Sequence, residues 1–220
     1  MKTRRVIGLL CACLCLCGCF ETIEEVTYTD SQSGTYLLTL NCSKSKSRLK
    51  ALVKLDTFMG LNIPKQWEVS NYFNTASLAV EKVPGISQVN YTEDYTNFIF
   101  TFTFKFDKTE TLNKAINAAA VSITNKSNLP YYNVFNSSEE TFQRNKTPND
   151  SMARLAKKSS QHLKLISGAK ATAIYRFHKP VKKVSNSKAV ISKNGKAVML
   201  QQDLPKIITD PALFTNTITF

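Results

Sequence analysis

The ten residues from Asn97 to Phe106 constrain this chain more than any others: Phe98, Phe100, Phe102, Phe104 and Phe106 alternate with Ile99, Thr101, Thr103 and Lys105. Side chains alternate between faces along a strand, so period two puts all five rings on one side of an extended segment. A face that apolar must be covered, and buried aromatic rings usually serve a core. Packing against helices explains the ladder without a ligand; a lipid-lined cavity is the competing account. The neighbouring segments supply what is needed for packing. Ile86–Tyr91 precedes the ladder across the turn-forming Thr92–Thr96, which predicts a hairpin. Thr109 is suited to cap a helix carrying Leu112, Ile116, Ala119 and Ala120 on one side, which would lie over the rings.

The same alternation recurs along the chain. Glu21–Tyr28 and Thr35–Ser43 flank the turn residues 30–34 and predict a first hairpin, with Cys42 as a small core residue in the run Tyr36, Leu38, Leu40, Cys42. Ser47 can cap a helix holding Leu49, Leu52 and Val53, and a second helix runs from Pro64 to about Lys82, ended by Pro84 and Gly85. Tyr131–Phe135 and Thr141–Arg144 suggest a third hairpin, and a basic helix follows from Asp150 to Ile166. Strands are then expected over Ala171–His178, Ala189–Ser192 and Ala197–Gln201, the last two joined around Asn194-Gly195, a strong hairpin signal. Leu204–Thr209 reads as a short turn of helix and Thr215–Phe220 as a terminal strand. Strands joined by short turns cannot be parallel, so the fold class is α+β: antiparallel sheet built from hairpins, with helices packed on one face.

The first residues carry an address. Lys2, Arg4 and Arg5 precede an apolar, cysteine-rich run from Val6 to Gly18, the layout of a secretory signal. That run is far shorter than the roughly 20 residues a membrane-crossing helix needs. Leu16-Cys17-Gly18-Cys19 has the form of a lipobox, in which Cys19 receives diacylglycerol. Leu10-Cys11-Ala12-Cys13 is a weaker second box, and an unlipidated signal peptide is the plain alternative. The expected organisation is a signal peptide over 1–18 and a single domain over 19–220, with a candidate subdivision near 145–150. A lipid-anchored protein of the cell envelope follows. Phe20, not an aspartate, succeeds Cys19, which favours the outer membrane, and the acids Glu21, Glu24 and Glu25 are of the kind that would promote surface display.

Charge is the other asymmetry. Residues 19–150 hold 13 Lys+Arg against 14 Asp+Glu, whereas residues 151–220 hold 13 against 2. Such a basic segment raises the local concentration of anions, pointing to anionic lipid or an envelope polymer as partner; a merely solvated basic face is equally consistent. The candidate contacts are Lys157, Lys158, Lys164, Arg176, Lys179, Lys182 and Lys183. Nucleic acid is disfavoured by the export signal and by the lack of any matching motif. His162 and His178 stand in no metal-ligand spacing, and no nucleophile elbow, phosphate loop or dinucleotide fingerprint occurs. No cofactor or metal is therefore expected, and a non-enzymatic role is. A binding or envelope-maintenance module is the first reading, an accessory subunit of a surface protein assembly the second.

A lipobox cysteine leading directly into a hairpin, the stretch Tyr175-Arg176-Phe177-His178-Lys179-Pro180-Val181, a turn, and Asn194-Gly195-Lys196-Ala197-Val198 together resemble LppM-type envelope lipoproteins. Cys19-Phe20-Glu21 is also similar to the start of small lipoproteins of the Bacteroidetes. The resemblance implies a membrane-tethered, non-enzymatic α+β domain that contacts lipids or other envelope components.

Overall fold

Asp30 closes the first hairpin. Its Oδ1 accepts hydrogen bonds from the backbone N–H groups of Gln32 and Ser33, both at 2.7 Å, so the turn is set by a side chain that mimics backbone. In this computed structural model, which describes residues 20–58, 61–124, 129–146 and 166–220, that turn joins β1 (Glu21–Tyr28) to β2 (Gly34–Asn41). Asp94 repeats the device between β5 (Ile86–Asp94) and β6 (Ile99–Phe106), accepting from Thr96 and Asn97 at 2.9 Å. Both predicted hairpins are therefore present. Phe100, Phe102, Phe104 and Phe106 all point inward from β6, while Phe98 is buried from the turn before it, with a left-handed φ of 57°.

Between these hairpins the chain forms α1 (Lys46–Leu52), the small ladder β3 (Thr57–Phe58) and β4 (Leu61–Asn62), and α2 (Gln66–Glu81). Ser47 lies inside α1 and is not its cap. The start of α2 is fixed by Glu68, whose carboxylate accepts from the Lys65 N–H at 2.7 Å. After β6 comes α3 (Thr109–Thr124). Thr109 is its first helical residue, and the Thr109 hydroxyl pairs with that of Tyr28 at 2.9 Å. Leu112 and Ala115 are fully buried, Ile116 and Ala119 pack partly, and Ala120 faces solvent.

The third hairpin is β7 (Phe135–Ser137) with β8 (Thr141–Arg144), starting later than the sequence pattern suggests. The delay has a cause. Asn117 exchanges amide hydrogen bonds with the backbone of Tyr132, and Asn113 does the same with Phe135, all between 2.7 and 2.9 Å. The chain from Tyr132 to Phe135 is thus tied to α3, and pairing with β8 begins only at Phe135. The rest comprises β9 (Lys170–Arg176), β10 (Lys183–Val184), β11 (Val190–Ile191), β12 (Ala197–Asp203), α4 (Leu204–Thr209) and β13 (Asn216–Thr219). The Asn194-Gly195 hairpin forms, though only Gly195 is left-handed, at φ 70°, so the loop is longer than a two-residue turn.

Seven strands form one sheet in the order β11-β12-β9-β1-β2-β6-β5, and β10-β13-β8-β7 form a second. Every pair is antiparallel except β1 with β9, which departs from the hairpin-only expectation. A parallel neighbour needs a long connection, and β9 arrives from far along the chain. One face of the large sheet is covered. Over β6 and β5 lies α2, where Phe73 stacks on Tyr91 and Phe100, with α3 packed beside it. Over β1 and β9 lies the second sheet, where Phe142 meets Tyr28, Tyr175 and Phe177.

Gly34 is required by this packing. A Cβ there would sit 2.2 Å from the Thr27 carbonyl oxygen and 2.9 Å from the Phe106 ring. Gly34→Ala is expected to lower the unfolding free energy by about 1–3 kcal/mol, the usual cost of overpacking. Urea denaturation measures it, and an unchanged midpoint would contradict the register described here.

Candidate functional site

The direction of the strands gives the domain two ends. Glu21 opposes Asn41, Asn41 opposes Ile99, Asp94 opposes Ile99 and Lys170 opposes Asp203, so all of these mark one end. Phe20 joins β1 at this end, its carbonyl accepting from the Lys170 N–H at 2.9 Å. The opposite end holds the Asp30 turn, the end of β9 at Arg176 and the start of β12 at Ala197.

The candidate anion contacts that are described all lie at the end remote from Phe20. Arg176 closes β9. Lys179 and Lys182 follow it, and Lys183 pairs with Thr219 at the edge of the second sheet. Lys193 and Lys196, which sequence reasoning passed over, join them, because Phe177 N–H donates to the Lys196 carbonyl and Val181 N–H to that of Gly195. The stretch 176–196 contains no Asp or Glu. Arg176 meets Glu25 at 3.2 Å, and Lys179 lies 4.7 Å over the Phe220 ring. Among the described residues no carboxylate comes within ion-pair distance of the other four lysines, although Asp30, Glu139 and Glu140 occupy neighbouring turns. Lys157, Lys158 and Lys164 fall outside the described residues, as do Cys19 and the segment 1–18.

A cleft of about 190 Å³ opens in the half of the domain nearer Phe20. Thr22, Leu38 and Ala171 from the large sheet face Leu204, Ile207 and Phe214 across it, and Glu24 and Arg144 form its polar part. None of the five ladder phenylalanines lines it. Clefts that enclose whole small molecules run to roughly 300–1,000 Å³, so this one has room for a few waters or a short apolar group, not for a lipid. Leu38 remains 40% exposed here, so the run from Tyr36 to Cys42 leaves the core part-way along β2. Cys42 is only half buried, and burial pushes its thiol up to about 11, so very little thiolate exists at neutral pH.

Glu24 and Arg144 form the most buried ion pair among the described residues. Arg144 donates from Nε to Glu24 Oε1 at 3.0 Å and from Nη2 to Oε2 at 3.4 Å, and Tyr175 donates to the same Oε1 at 2.8 Å. The guanidinium also lies 4.6 Å over the Phe214 ring. Burial, the largest single influence, opposes the charge on Arg144, but the charge and hydrogen bonds of Glu24 together with Tyr175 and Tyr36 outweigh it and hold the guanidinium more firmly protonated than in water. Burial, and then Glu24, push the Tyr175 hydroxyl well above its ordinary range; burial also raises Tyr36, and pushes Tyr28 up to about 12. Glu24, Arg144 and Tyr175 are locked partners, and the raised tyrosines titrate far above the neutral range that acid–base catalysis uses. Among the described residues no group of three or more His, Cys, Asp or Glu is arranged to hold a metal, and no helix is long and apolar enough to cross a membrane.

No protein-family profile and no curated protein matches the chain. Among solved structures it is similar to the folded domain of LppM from Mycobacterium tuberculosis, determined by NMR, with a TM-score of 0.42 and 8% identity over 91% of this chain and 86% of that one. A likeness this slight is one of outline alone.

Two outcomes follow from the buried groups. Glu24→Gln strands Arg144 without its counter-charge and is expected to cost about 3–5 kcal/mol of stability in urea titration; a loss under about 1 kcal/mol would show the pair to be dispensable. Tyr28, Tyr36 and Tyr175 all have raised folded values, so the stability they confer is complete below the unfolded value near 10 and is lost as pH climbs through the folded ones. Alkaline titration should show the last tyrosinate absorbance appearing together with loss of near-ultraviolet circular dichroism, well above pH 10. Smooth ionisation of all eight tyrosines near pH 10 with the fold intact would contradict their burial.

Proposed function

We propose that this chain is a lipid-anchored envelope module that uses its basic pole to engage an anionic component of the cell envelope. The observation that carries the reading is the collection of Arg176, Lys179, Lys182, Lys183, Lys193 and Lys196 at the end of the domain remote from residue 20. A lipid on Cys19, the residue preceding Phe20, would hold the opposite end at the membrane and turn this pole outward. Clustered cations with few paired carboxylates attract a polyanion from solution, and the interaction weakens as salt rises.

Several features support a binding role over catalysis. Glu24, Arg144 and Tyr175 are bonded to one another inside the fold, and the small cleft suits neither a substrate nor a stored lipid. The anchor itself rests on the n-region, the apolar run and the Leu16-Cys17-Gly18-Cys19 motif. More than one acyl chain would make attachment stable, since each buried methylene contributes about 0.8 kcal/mol. The outer membrane is the membrane we favour, with lipopolysaccharide or an acidic surface polymer as the anion.

Two variants test the reading separately. Cys19→Ala should abolish incorporation of labelled palmitate and release the chain from the membrane fraction; retention and labelling undiminished would remove the anchor. Charge reversal at Lys182 and Lys183 should weaken binding of the protein to immobilised lipopolysaccharide and flatten its salt dependence. Binding that is indifferent to both the reversal and to salt would remove the basic pole.

A further inference from the structure

The end of the domain where Phe20 joins β1 carries a second concentration of unpaired surface groups, different in kind from the basic pole. Residues 44–54 hold Lys44, Lys46, Arg48, Lys50 and Lys54 and no acid. Among the described residues Lys46 bonds Asn97 Oδ1 at 3.0 Å, which fastens α1 to the β5–β6 turn, and the other four have no carboxylate within ion-pair distance. Large apolar side chains stand out beside them: Trp67 is 68% exposed in the first turn of α2, Val53 and Leu55 are each 44% exposed after α1, and Ile123 is 43% exposed in the last turn of α3.

These groups converge because of how the elements run. Both α1 and the β3–β4 ladder follow β2 out of this end. The N-terminus of α2 lies here, with the Gln66 carbonyl oxygen 3.2 Å from the Tyr95 hydroxyl. The Lys65 ammonium bonds the Leu55 carbonyl at 3.3 Å and pairs with Asp56 at 2.7 Å, drawing the Leu55 loop against the start of α2. Leaving β6 at the opposite end, α3 returns toward this one along α2. The acids that share this end keep their charge but are bonded within the fold, and none lies within ion-pair distance of Lys44, Arg48, Lys50 or Lys54. Asp56 pairs with Lys65, and Asp203 bridges Lys170 and Lys206. Glu68 caps α2 and Asp94 its turn, Glu93 accepts from Ser70 and Tyr95, Glu21 from Thr172 and Gln201, and Asp210 caps the turn at Ala212.

An exposed tryptophan with aliphatic neighbours and a rim of lysine and arginine is the composition that partitions into the headgroup region of an anionic bilayer. We propose that this end is a membrane-docking face: Trp67, Val53, Leu55 and Ile123 enter the interface while Lys44, Arg48, Lys50 and Lys54 contact anionic phospholipid headgroups. The occupant is a bilayer surface and not a protein groove, since charge complementarity and continuity with residue 20 both point there. Its position beside the anchor rests on the reading of Cys19 given above, but the face makes its own prediction.

Trp67 is the sole tryptophan of the chain, so its fluorescence reports this face directly. The lipidated full-length protein and its Cys19→Ala variant are mixed with vesicles of phosphatidylcholine alone or with phosphatidylglycerol. With anionic vesicles, Trp67 emission should move to shorter wavelength and acrylamide quenching should fall in both chains; in Cys19→Ala the change should reverse with salt and be absent on pure phosphatidylcholine. Each cation near an anionic surface strengthens binding by roughly five-fold, so replacing Lys44, Arg48, Lys50 and Lys54 by glutamine in Cys19→Ala should weaken partitioning by roughly six-hundred-fold, with circular dichroism unchanged. If the lipidated protein floats with the vesicles while Trp67 stays as quenchable as in buffer, the docking face is wrong and the anchor stands. If both chains shift equally on anionic vesicles and neither floats with pure phosphatidylcholine, docking stands and the anchor falls. An unshifted Trp67 in both chains overturns the proposal whatever floats.

Discussion

The arrangement of this domain depends on one buried ion pair. Glu24 comes from β1 near the centre of the seven-stranded sheet, Arg144 from the end of β8 in the second sheet, and their bidentate contact fixes how one sheet lies on the other. Removing two charges from water costs several kcal/mol per ion, and the pair is tolerable only because its remaining bonding capacity is met. Tyr175 from β9 supplies a further hydrogen bond to the carboxylate, and Phe214 supplies an aromatic face to the guanidinium. Beside it the rings of Phe135, Phe142, Tyr175 and Phe177 form a continuous cluster, so the polar lock lies between the cleft and an aromatic core.

That lock decides what the two ends present. With the second sheet held over β1 and β9, the chain after β9 must wrap past Arg176 to reach the edge at Lys183, which gathers the lysines at one pole. With α4 held across the starts of β1 and β9, the opposite end shows α1, the Leu55 loop and the first turn of α2. One end is cationic and polar; the other sets four basic side chains without carboxylate partners beside exposed apolar ones. The first suits a soluble polyanion, the second an anionic surface that also accepts aliphatic and aromatic side chains.

The hairpins were legible because local rules specify them. Period-two runs flanked by Asp30, Asp94 or Asn194-Gly195 can do little else, and the phenylalanine ladder packs as a core face should. Contacts between distant segments were not legible. Glu24 reads in the sequence as one of three acids beside an anchor, and only the parallel entry of β9 and the arrival of β8 turn it into a buried partner. Asn113 and Asn117 stand four apart on a helix face that otherwise looks like an edge of the apolar stripe; their spacing was the available signal for a chain bonded along α3. The basic pole was half legible: Arg176, Lys179, Lys182 and Lys183 were named from charge density, whereas Lys193 and Lys196 needed the fold to bring them alongside.

The central claim is an orientation: the end with Phe20 toward the bilayer, the Arg176–Lys196 pole away from it. Energy transfer from a donor on the protein to acceptors in the bilayer measures this directly. In a Cys42→Ser background, the lipidated chain would carry the donor on a cysteine at position 194 or at position 55. Strands of this length span roughly 25 Å, enough to separate the two positions by a large change in transfer efficiency. The account predicts strong transfer from position 55 and weak transfer from position 194, and equal or reversed efficiencies would contradict it.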